Sequence, residues 1–316
     1  VSDAGRGLGA VRVHEDAPDT PPRYLADFLL TELHRARGPE RTMARPNTLT
    51  RGRESPFVTE CVVNALSQEL VVEVRRQGAW WRRSFARGVP TSPFEAVGKS
   101  MHSGTTLRFT ADEELFDTNA RFEVRTLRRR LEELAMMVPG VRIELTDERT
   151  GASYEIHAPQ GALDHVRKRA RGRALVAEPF RVVHEHAERC VDLAIAWTHD
   201  DSTYIEAFTN GQLNARGGTH IQGLQAGVME ALCRLAASSR ASIVPVRWEV
   251  ERALRGATIA LSLAHALPRF RAHPGDMLVS SDAEGFVAEA VAKHLPRWLE
   301  AHPVLLDRLL DRLTQP

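Results

Sequence analysis

The stretch that decides the fold is residues 62–90, VVNALSQELVVEVRRQGAWWRRSFARGVP. Apolar residues at helical spacing open it, and they predict a short helix over residues 57–67. Two runs rich in valine and aromatic residues follow, LVVEVRR and AWWRRSFARG. Gln77-Gly78 between them is typical of a tight turn. The stretch therefore predicts a helix that leads directly into a β-hairpin.

Further elements lie on both sides of this stretch. YLADFLLTELHRA, residues 24–36, has the apolar spacing of a helix, and a polar segment rich in glycine and proline follows it as a long loop. GTTLRFTA, residues 104–111, predicts a strand. RFEVRTLRRRLEELAMMVPG, residues 121–140, predicts an amphipathic helix that ends at Pro139-Gly140. VRIELTDERTG, residues 141–151, predicts a strand that enters a turn.

A second block starts near residue 159, where the composition shifts. Residues 191–210 predict a hairpin that turns at His199-Asp200-Asp201. Residues 219–239 predict a helix, and residues 242–250 and 257–267 predict strands. The remainder predicts helix, interrupted at Pro296 and Pro303. Helices and strands are mixed throughout in two blocks, so the pattern predicts an α+β protein.

Composition limits the possible classes of protein. The chain has 316 residues, 43% hydrophobic and 26% charged, which predicts two packed globular domains. No apolar run is long enough to cross a membrane, and no signal peptide is visible. The three cysteines, Cys61, Cys190 and Cys233, fit no disulfide or metal spacing, so we expect buried thiols and a cytoplasmic location. A net charge of +1 does not by itself indicate nucleic-acid binding.

Two local patterns have both a functional and an ordinary interpretation. Asp3-Ala4-Gly5-Arg6-Gly7 places an acidic residue before a glycine-spaced turn, which would let the backbone approach a nucleotide. The alternative is an ordinary surface turn. The basic segments at residues 165–173 and 37–53 would contact phosphates, or they are solvated loops. The histidines show no ligand spacing, and we assign no catalytic or metal-binding role to any residue.

Several separated segments together resemble the B subunit of DNA gyrase and of topoisomerase IV, in the order of that family. DAGRG followed by His14, the 62–90 stretch, SGTTLRF, and LRRRLEELAMMVPGVRIELTDERTG resemble its ATPase region. VDLAIAWTHDD, FTNGQLNARGGTHIQGLQAGVMEAL and ERALRGATIALSLAHALPRF resemble its transducer domain. The resemblance covers nearly the whole chain. It implies a Bergerat-type (GHKL) α/β sandwich over residues 1–168 and a ribosomal S5-like transducer over residues 169–316.

The resemblance implies an adenine pocket. Asp3 matches a buried aspartate that accepts a hydrogen bond from the adenine amino group, and Thr105 matches a threonine that helps to hold the base. Gly5 and Gly7 match the glycines next to the purine, and Arg82 matches an arginine at the mouth of the pocket. The implied cofactors are ATP and Mg²⁺. The transducer of the family faces DNA, so the resemblance also implies DNA contacts by the basic segment, through Arg167, Lys168, Arg169 and Arg171.

The chain departs from the family at the triphosphate. The chain begins after the helix that carries the family's catalytic glutamate and its magnesium-binding asparagine, so its ATPase domain lacks the first helix. The glycine-rich lid is replaced by Arg53-Glu54-Ser55-Pro56-Phe57-Val58-Thr59, which offers fewer free N–H groups to phosphate. His273-Pro274-Gly275 stands where the family's lysine reaches the γ-phosphate. Whether the chain is an enzyme is therefore left open.

The resemblance and these departures together give three hypotheses. The first is the ATPase and transducer region of the B subunit of a type IIA topoisomerase, with impaired or lost ATP hydrolysis. The main alternative is a non-enzymatic paralogue that binds topoisomerase subunits or DNA. The third is a degenerate gene product without a selected role. The expected partners are a topoisomerase A subunit, a gyrase B homologue or DNA, and not a membrane. ATP-driven dimerisation in the family's usual form is not expected.

Overall fold

The computed structural model describes residues 1–7, 24, 29–31, 60–117, 119–239, 250–271 and 275–314. Backbone contacts divide the chain into two compact units. The first unit comprises residues 1–35 and 57–122, and the second comprises residues 36–56 and 123–316. The boundary between the two units therefore lies between Phe122 and Glu123. The predicted division into functional domains at residues 168 and 169 stays a prediction.

The first unit is built on an antiparallel sheet. Helix α1 (Glu60–Ala65) precedes strands β1 (Ser67–Arg76), β2 (Ala79–Ala86), β3 (Val89–Pro90), β4 (Glu95–Lys99) and β5 (Gly104–Ala111). The strand order is β3-β2-β1-β5, and β4 pairs with β2. The predicted hairpin is confirmed, because β1 and β2 pair from Leu70↔Phe85 to Arg76↔Ala79. Gln77 and Gly78 take φ values of 53° and 79°, as the tight turn requires.

The two faces of this sheet differ in polarity. One face is apolar and carries Leu70, Val72 and Val74 of β1, which form a buried cluster with Phe85, Phe94 and Leu30. Side chains alternate along a strand, so Glu73 between them points to the other face. The cross-strand register places Arg82 and Thr106 beside Glu73 on that polar face. The alternation therefore fixes which of the predicted site residues share a face.

The second unit carries a sheet with helices on both faces. Its elements are α2 (Val124–Met137), β6 (Arg142–Asp147), β7 (Ala152–His157), α3 (Ala162–Arg169), β8 (Phe180–His186), β9 (Arg189–Trp197), β10 (Tyr204–Thr209), β11 (Gln212–Leu213), α4 (Thr219–Ser239), α5 (Val250–Leu254), β12 (Ala257–His265), α6 (Ser281–Glu300) and α7 (Pro303–Thr314). The sheet order is β11-β10-β12-β9-β8, and β6 and β7 form a separate hairpin. The mixed α+β class is confirmed.

Alternating residues of β9 face the two helical layers of the second unit. Leu193 and Ile195 join the large core that contains residues of α4 and α6. Ala194 and Ala196 join a smaller cluster with Val166 of α3. Both faces of β9 are therefore apolar, as expected for a strand that is covered on both sides.

The predicted hairpin over residues 191–210 is wrong. Strands β9 and β10 do not pair with each other, because β12 lies between them. Ile259 of β12 pairs with Ile195 in antiparallel register and with Ile205 in parallel register. Almost every residue of β12 is buried, which places it at the centre of the sheet. A local turn signal cannot show that a strand distant in sequence will occupy that position.

The predicted interruption at Pro296 is also wrong, whereas the one at Pro303 is confirmed. Helix α6 continues through Pro296, and α7 begins at Pro303. Leu295 and Leu299 on either side are fully buried in the core. The proline removes one N–H from the helix, and burial of its neighbours offsets that loss.

The structure corrects one further expectation and leaves two untested. Cys61 is buried, but Cys190 is half-buried and Cys233 is exposed, so the expectation of three buried thiols is wrong for two of them. Within the predicted helix 24–36, residues 29–31 are helical and most others lie outside the described residues. The predicted strand 242–250 lies outside them too, except for Val250, where α5 begins. None of the described helices has the length and apolar character needed to cross a membrane.

Candidate nucleotide site and basic segment

The first three residues of the chain extend the sheet of the first unit beyond β5. Ser2 forms an antiparallel bridge with Thr106. Val1 and Leu107 exchange two hydrogen bonds of 2.8 Å, and the Asp3 N–H donates to the Thr105 carbonyl at 2.8 Å. Asp3 and Thr105 are therefore directly opposite each other, and opposite residues of neighbouring strands point to the same face. The structure brings together the two residues that the sequence assigned to adenine.

The turn after Asp3 fixes its carboxylate. Oδ1 accepts the N–H of Gly5 at 2.7 Å. A Cβ at Gly5 would lie 2.9 Å from that same oxygen, and Gly7 has a φ of 79° with its missing Cβ directed at the Arg75 carbonyl at 2.7 Å. Gly7 is thus required by the backbone of the turn, whereas a side chain at Gly5 would crowd the Asp3 carboxylate. The second carboxylate oxygen has no protein partner among the described residues.

Gly104 is a residue of this site that the sequence analysis did not single out. Its φ is 146°, and a Cβ there would lie 2.0 Å from the carbonyl oxygen of Asp3. Any other residue would push the Asp3 segment away from β5. The signal for it in the sequence was only the glycine that stands directly before Thr105.

Thr105 and Asp3 differ in burial. Thr105 is 8% exposed and pairs with Val74 on the apolar face of the sheet. Asp3 is exposed, although the resemblance led us to expect a buried carboxylate. A base held between them would contact apolar surface on one side and find a polar acceptor at its edge.

Arg82 does not join these two residues. Its partner in the register is Glu73, which in turn pairs with Thr106. Arg82 therefore lies on the polar face, opposite to the face of Thr105 and Asp3, and its side chain is exposed. The register does not place Arg82 in one pocket with Asp3 and Thr105.

The triphosphate region is described only in part. The lid residues 53–59, Arg51 and the pair His273-Pro274 lie outside the described residues, as does the basic segment 37–53. Gly275 is described, and its carbonyl accepts a hydrogen bond from Asn214 at 2.9 Å. No group of three or more His, Cys, Asp or Glu side chains that could hold a metal ion occurs in the described part of the chain.

The basic segment at residues 165–173 carries its own counter-ions. Lys168 pairs with Glu132 at 2.5 Å, and Arg169 pairs with Glu206. Arg167 donates to Gln160 at 2.8 Å and lies 3.5 Å from Glu178. Of the four predicted DNA-binding residues, only Arg171 forms no ion pair with a described residue. Contact with a phosphate backbone would therefore compete with existing ion pairs.

Glu206 supplies a negative charge that balances the positive charge of the basic segment at residues 165–173. Its burial favours the neutral acid, but hydrogen bonds from His165 at 2.7 Å and from Arg169 outweigh that effect. They lower the pKa of the Glu206 carboxyl to about 2. The carboxylate is ionised at neutral pH and holds the side chains of His165 and Arg169 against the sheet.

Comparison with known proteins identifies relatives for both units. Residues 161–316 match the family model described as DNA gyrase B. The chain is similar to the B subunit of DNA gyrase from Archaeoglobus fulgidus, with 31% identity over 317 residues, 99% of this chain and 48% of the relative. It is also similar to the B subunit of the type 2 topoisomerase from Aquifex aeolicus, with 29% identity over 79% of this chain and 32% of the relative. The chain thus spans about half or less of the length of these relatives.

Solved structures give the same fold. The 43K ATPase domain of Thermus thermophilus gyrase B, solved in complex with an aminocoumarin, superposes with a TM-score of 0.79 at 25% identity, covering 99% of this chain and 78% of that one. The topoisomerase IV ATP-binding domain of Francisella tularensis, solved with a small-molecule inhibitor, superposes with a TM-score of 0.77 at 21% identity, over 99% of this chain and 82% of that one. The GHKL ATPase fold predicted from the sequence is confirmed.

Proposed function

Because the chain belongs to the DNA gyrase B family, we propose that it retains the adenine-binding half of the nucleotide site and has lost efficient ATP turnover. As a gyrase B-like region it corresponds to the ATPase and transducer part of a type II topoisomerase. That family normally binds ATP with Mg²⁺ and works with a topoisomerase A subunit and DNA. For this chain, ATP, the A subunit and DNA are proposed ligands and partners.

The observation that carries the proposal is the pairing of Asp3 with Thr105. Oδ1 of Asp3 is already fixed by the Gly5 N–H, so the carboxylate is oriented before any ligand arrives. The other carboxylate oxygen would accept a hydrogen bond from the exocyclic amino group of adenine. The Thr105 side chain lies across the strand pair on the same face. An oriented acceptor discriminates well, because a base without the amino group leaves the carboxylate unpaired.

The residues of the chain fit the triphosphate and magnesium less well than they fit adenine. No described carboxylate cluster could hold a metal ion. Gly275 stands where the resemblance expects a lysine, and it has no side chain to reach a phosphate. The lid segment contains Glu54, which repels phosphate, and Pro56, which lacks an N–H donor. We therefore derive no hydrolytic step through ATP or Mg²⁺.

The same sequence features favour a second candidate, a non-enzymatic paralogue that binds topoisomerase subunits or DNA. In that case the DAGRG turn would be a structural part of the sheet edge. Gly7 and Gly104 are required by the backbone alone, so their presence is compatible with either candidate. Nucleotide binding, not sequence, separates the two.

Replacement of Asp3 by Asn tests the first candidate. The amide would present an N–H₂ group or a weaker acceptor to the adenine amino group. We expect ADP affinity to fall about 10- to 100-fold, as for loss of a charge-assisted hydrogen bond of about 1.5–3 kcal/mol. Isothermal titration of the purified chain with ADP and with a non-hydrolysable ATP analogue, both with Mg²⁺, measures this effect.

The matched control is Asp117→Asn in the same unit. Asp117 is also exposed and also accepts the N–H two residues ahead, from Asn119 at 2.9 Å. Its replacement should leave nucleotide affinity unchanged. Failure of both ligands to bind the unmodified chain would favour the paralogue. ATP turnover that disappears in Asp3→Asn would contradict the proposed loss of hydrolysis.

A further inference from the structure

Strand β8 forms one edge of the sheet in the second unit. It is the last strand of the order β11-β10-β12-β9-β8, and among the described strands it pairs with β9 alone. Val183 in the middle of β8 is 52% exposed, and residues 185–188 at its end are exposed too. An edge strand presents a row of N–H and C=O groups that another strand can pair with. The edge of β8 is therefore a candidate interaction surface.

The turn between β8 and β9 decides which backbone groups face outward. His186 and Arg189 are partners in the register, and a two-residue turn joins them. Such a turn is closed by a hydrogen-bonded pair, and Ala187 has the positive φ, 52°, that these turns use. Hydrogen-bonded and non-hydrogen-bonded pairs then alternate along the two strands. The residues whose backbone groups point away from β9 are Arg181, Val183 and Glu185.

The sequence of β8 is complementary to itself in antiparallel order. When Val183 lies opposite Val183 of a second copy, Arg181 of each copy lies opposite Glu185 of the other. These pairs join outward-facing backbone groups, so each pair exchanges two hydrogen bonds. Moving the axis by one residue sets Val183 against a charged residue, and moving it by two sets like charges against each other. Because opposite charges across a strand pair are stabilising and like charges are not, the charges select one register.

The arginine of this register is already held in position. Arg181 donates from Nε and Nη2 to the carboxylate of Asp192, both at 3.0 Å. A guanidinium carries five N–H groups, and Nη1 of Arg181 forms no hydrogen bond within the described part of the chain. Arg181 therefore has donors for Glu185 of a second copy without giving up Asp192. Its fixed orientation reduces the entropy that pairing would cost.

We propose that β8 is a dimerisation edge, through which two copies of this chain form one continuous sheet with a two-fold axis at Val183. A two-fold interface uses the same surface of both copies, as this register does. A second copy is favoured over an unrelated strand, which would have to supply the same charges in reverse order. One short strand buries little area, so we expect weak association with a Kd of about 100 µM.

The pairing uses residues of the second unit alone and needs no nucleotide, so it does not depend on the proposed adenine site. Sedimentation velocity of the full chain without nucleotide, below and above the expected Kd, measures the association. Val183→Pro should abolish it, because proline removes an N–H that faces outward and not one that bonds to β9. Val183→Thr keeps that N–H and a branched side chain, and should still associate. Urea unfolding shows whether each variant folds.

Opposite charges placed at the axis test the register itself. Residue 183 meets its own copy there, so Val183→Asp and Val183→Lys should each stay monomeric, since like charges would lie directly opposite each other. An equimolar mixture of the two variants should associate, because the aspartate then faces the lysine. Val304→Asp is the matched control, since Val304 is another exposed valine of the second unit, at 73% exposure. It should associate as the unmodified chain does.

Three results would overturn the proposal. The first is an unmodified chain that stays monomeric at concentrations well above the expected Kd, or that associates only when ADP or an ATP analogue is added. The second is association that survives in Val183→Pro, which would place the contact on another surface. The third is a mixture of Val183→Asp and Val183→Lys that sediments as its separate components do. Failure of the chain to bind nucleotide would leave all of these expectations unchanged.

Discussion

Replacement of Gly223 by alanine is expected to destabilise the second unit by about 3 kcal/mol. Gly223 lies on α4 where this helix crosses α6. A Cβ there would lie 2.3 Å from the carbonyl oxygen of Glu284. The obstacle is the backbone of α6 and not a movable side chain, so the two helices would have to separate. Separation would loosen the core that both helices share with the sheet.

Gly227, one turn later on α4, repeats the close approach. A Cβ there would lie 2.7 Å from both the Ala288 carbonyl and the Val291 Cβ. The two glycines thus form a seam along which the helix backbones meet. We expect Gly227→Ala to be destabilising in the same direction, and the double variant to lose cooperative unfolding of the second unit.

Gly285→Ala is the matched control for this prediction. Gly285 lies on α6 itself, but a Cβ there would meet nothing within 4 Å. Alanine should therefore stabilise the helix by about 0.5–1 kcal/mol through its higher helix propensity. Urea unfolding monitored by circular dichroism measures all the variants. Equal effects of Gly223→Ala and Gly285→Ala would contradict the close approach of the two helices.

The sequence correctly predicted the elements that depend on residues close together in the chain. The β1–β2 hairpin followed from Gln77-Gly78, which can take the positive φ values of the turn. Helix α4 followed from apolar spacing, and β5 from a run of β-forming residues. The position of β12 between β9 and β10 did not follow, because pairing between strands far apart in sequence leaves no local mark. The glycine seam was also invisible, since only the three-dimensional crossing shows why Gly223 has no side chain.

The candidate site shows the same division. Asp3 and Thr105 were singled out separately by resemblance, and the structure adds that they are opposite each other on neighbouring strands. Strand alternation then separates Arg82 from them, which a sequence match could not show. The basic segment was visible as a run of charges, but its ion pairs with Glu132 and Glu206 depend on distant elements.

His220 is a buried titratable group of the second unit. It is the second residue of α4 and is 0% exposed, and neither ring nitrogen has a hydrogen-bond partner among the residues that the structure describes. Burial lowers its pKa from 6.5 to about 4. The folded unit therefore keeps the ring neutral at a pH where the unfolded chain would already carry the proton.

We therefore expect the stability of the second unit to fall as the pH is lowered from about 6.5 to about 4. Across this window the unfolded chain binds a proton that the folded chain does not, so acidification favours unfolding. At about 1.4 kcal/mol per pH unit, the loss is roughly 3 kcal/mol. The stabilising ion pairs of Glu206 act in a different range, because its carboxyl titrates between about 4.5 in the unfolded chain and about 2 in the folded chain.

Urea unfolding of the chain and of His220→Leu between pH 7 and pH 4.5 tests this expectation. Leucine has a similar volume and takes up no proton, so the variant should lose most of the decline that the unmodified chain shows. His294→Leu, at an exposed position of α6, should keep the decline. A decline of equal steepness in His220→Leu would mean that other groups cause the acid sensitivity. Loss of the decline would also show that a histidine which the sequence left without any role restricts the pH range of the fold.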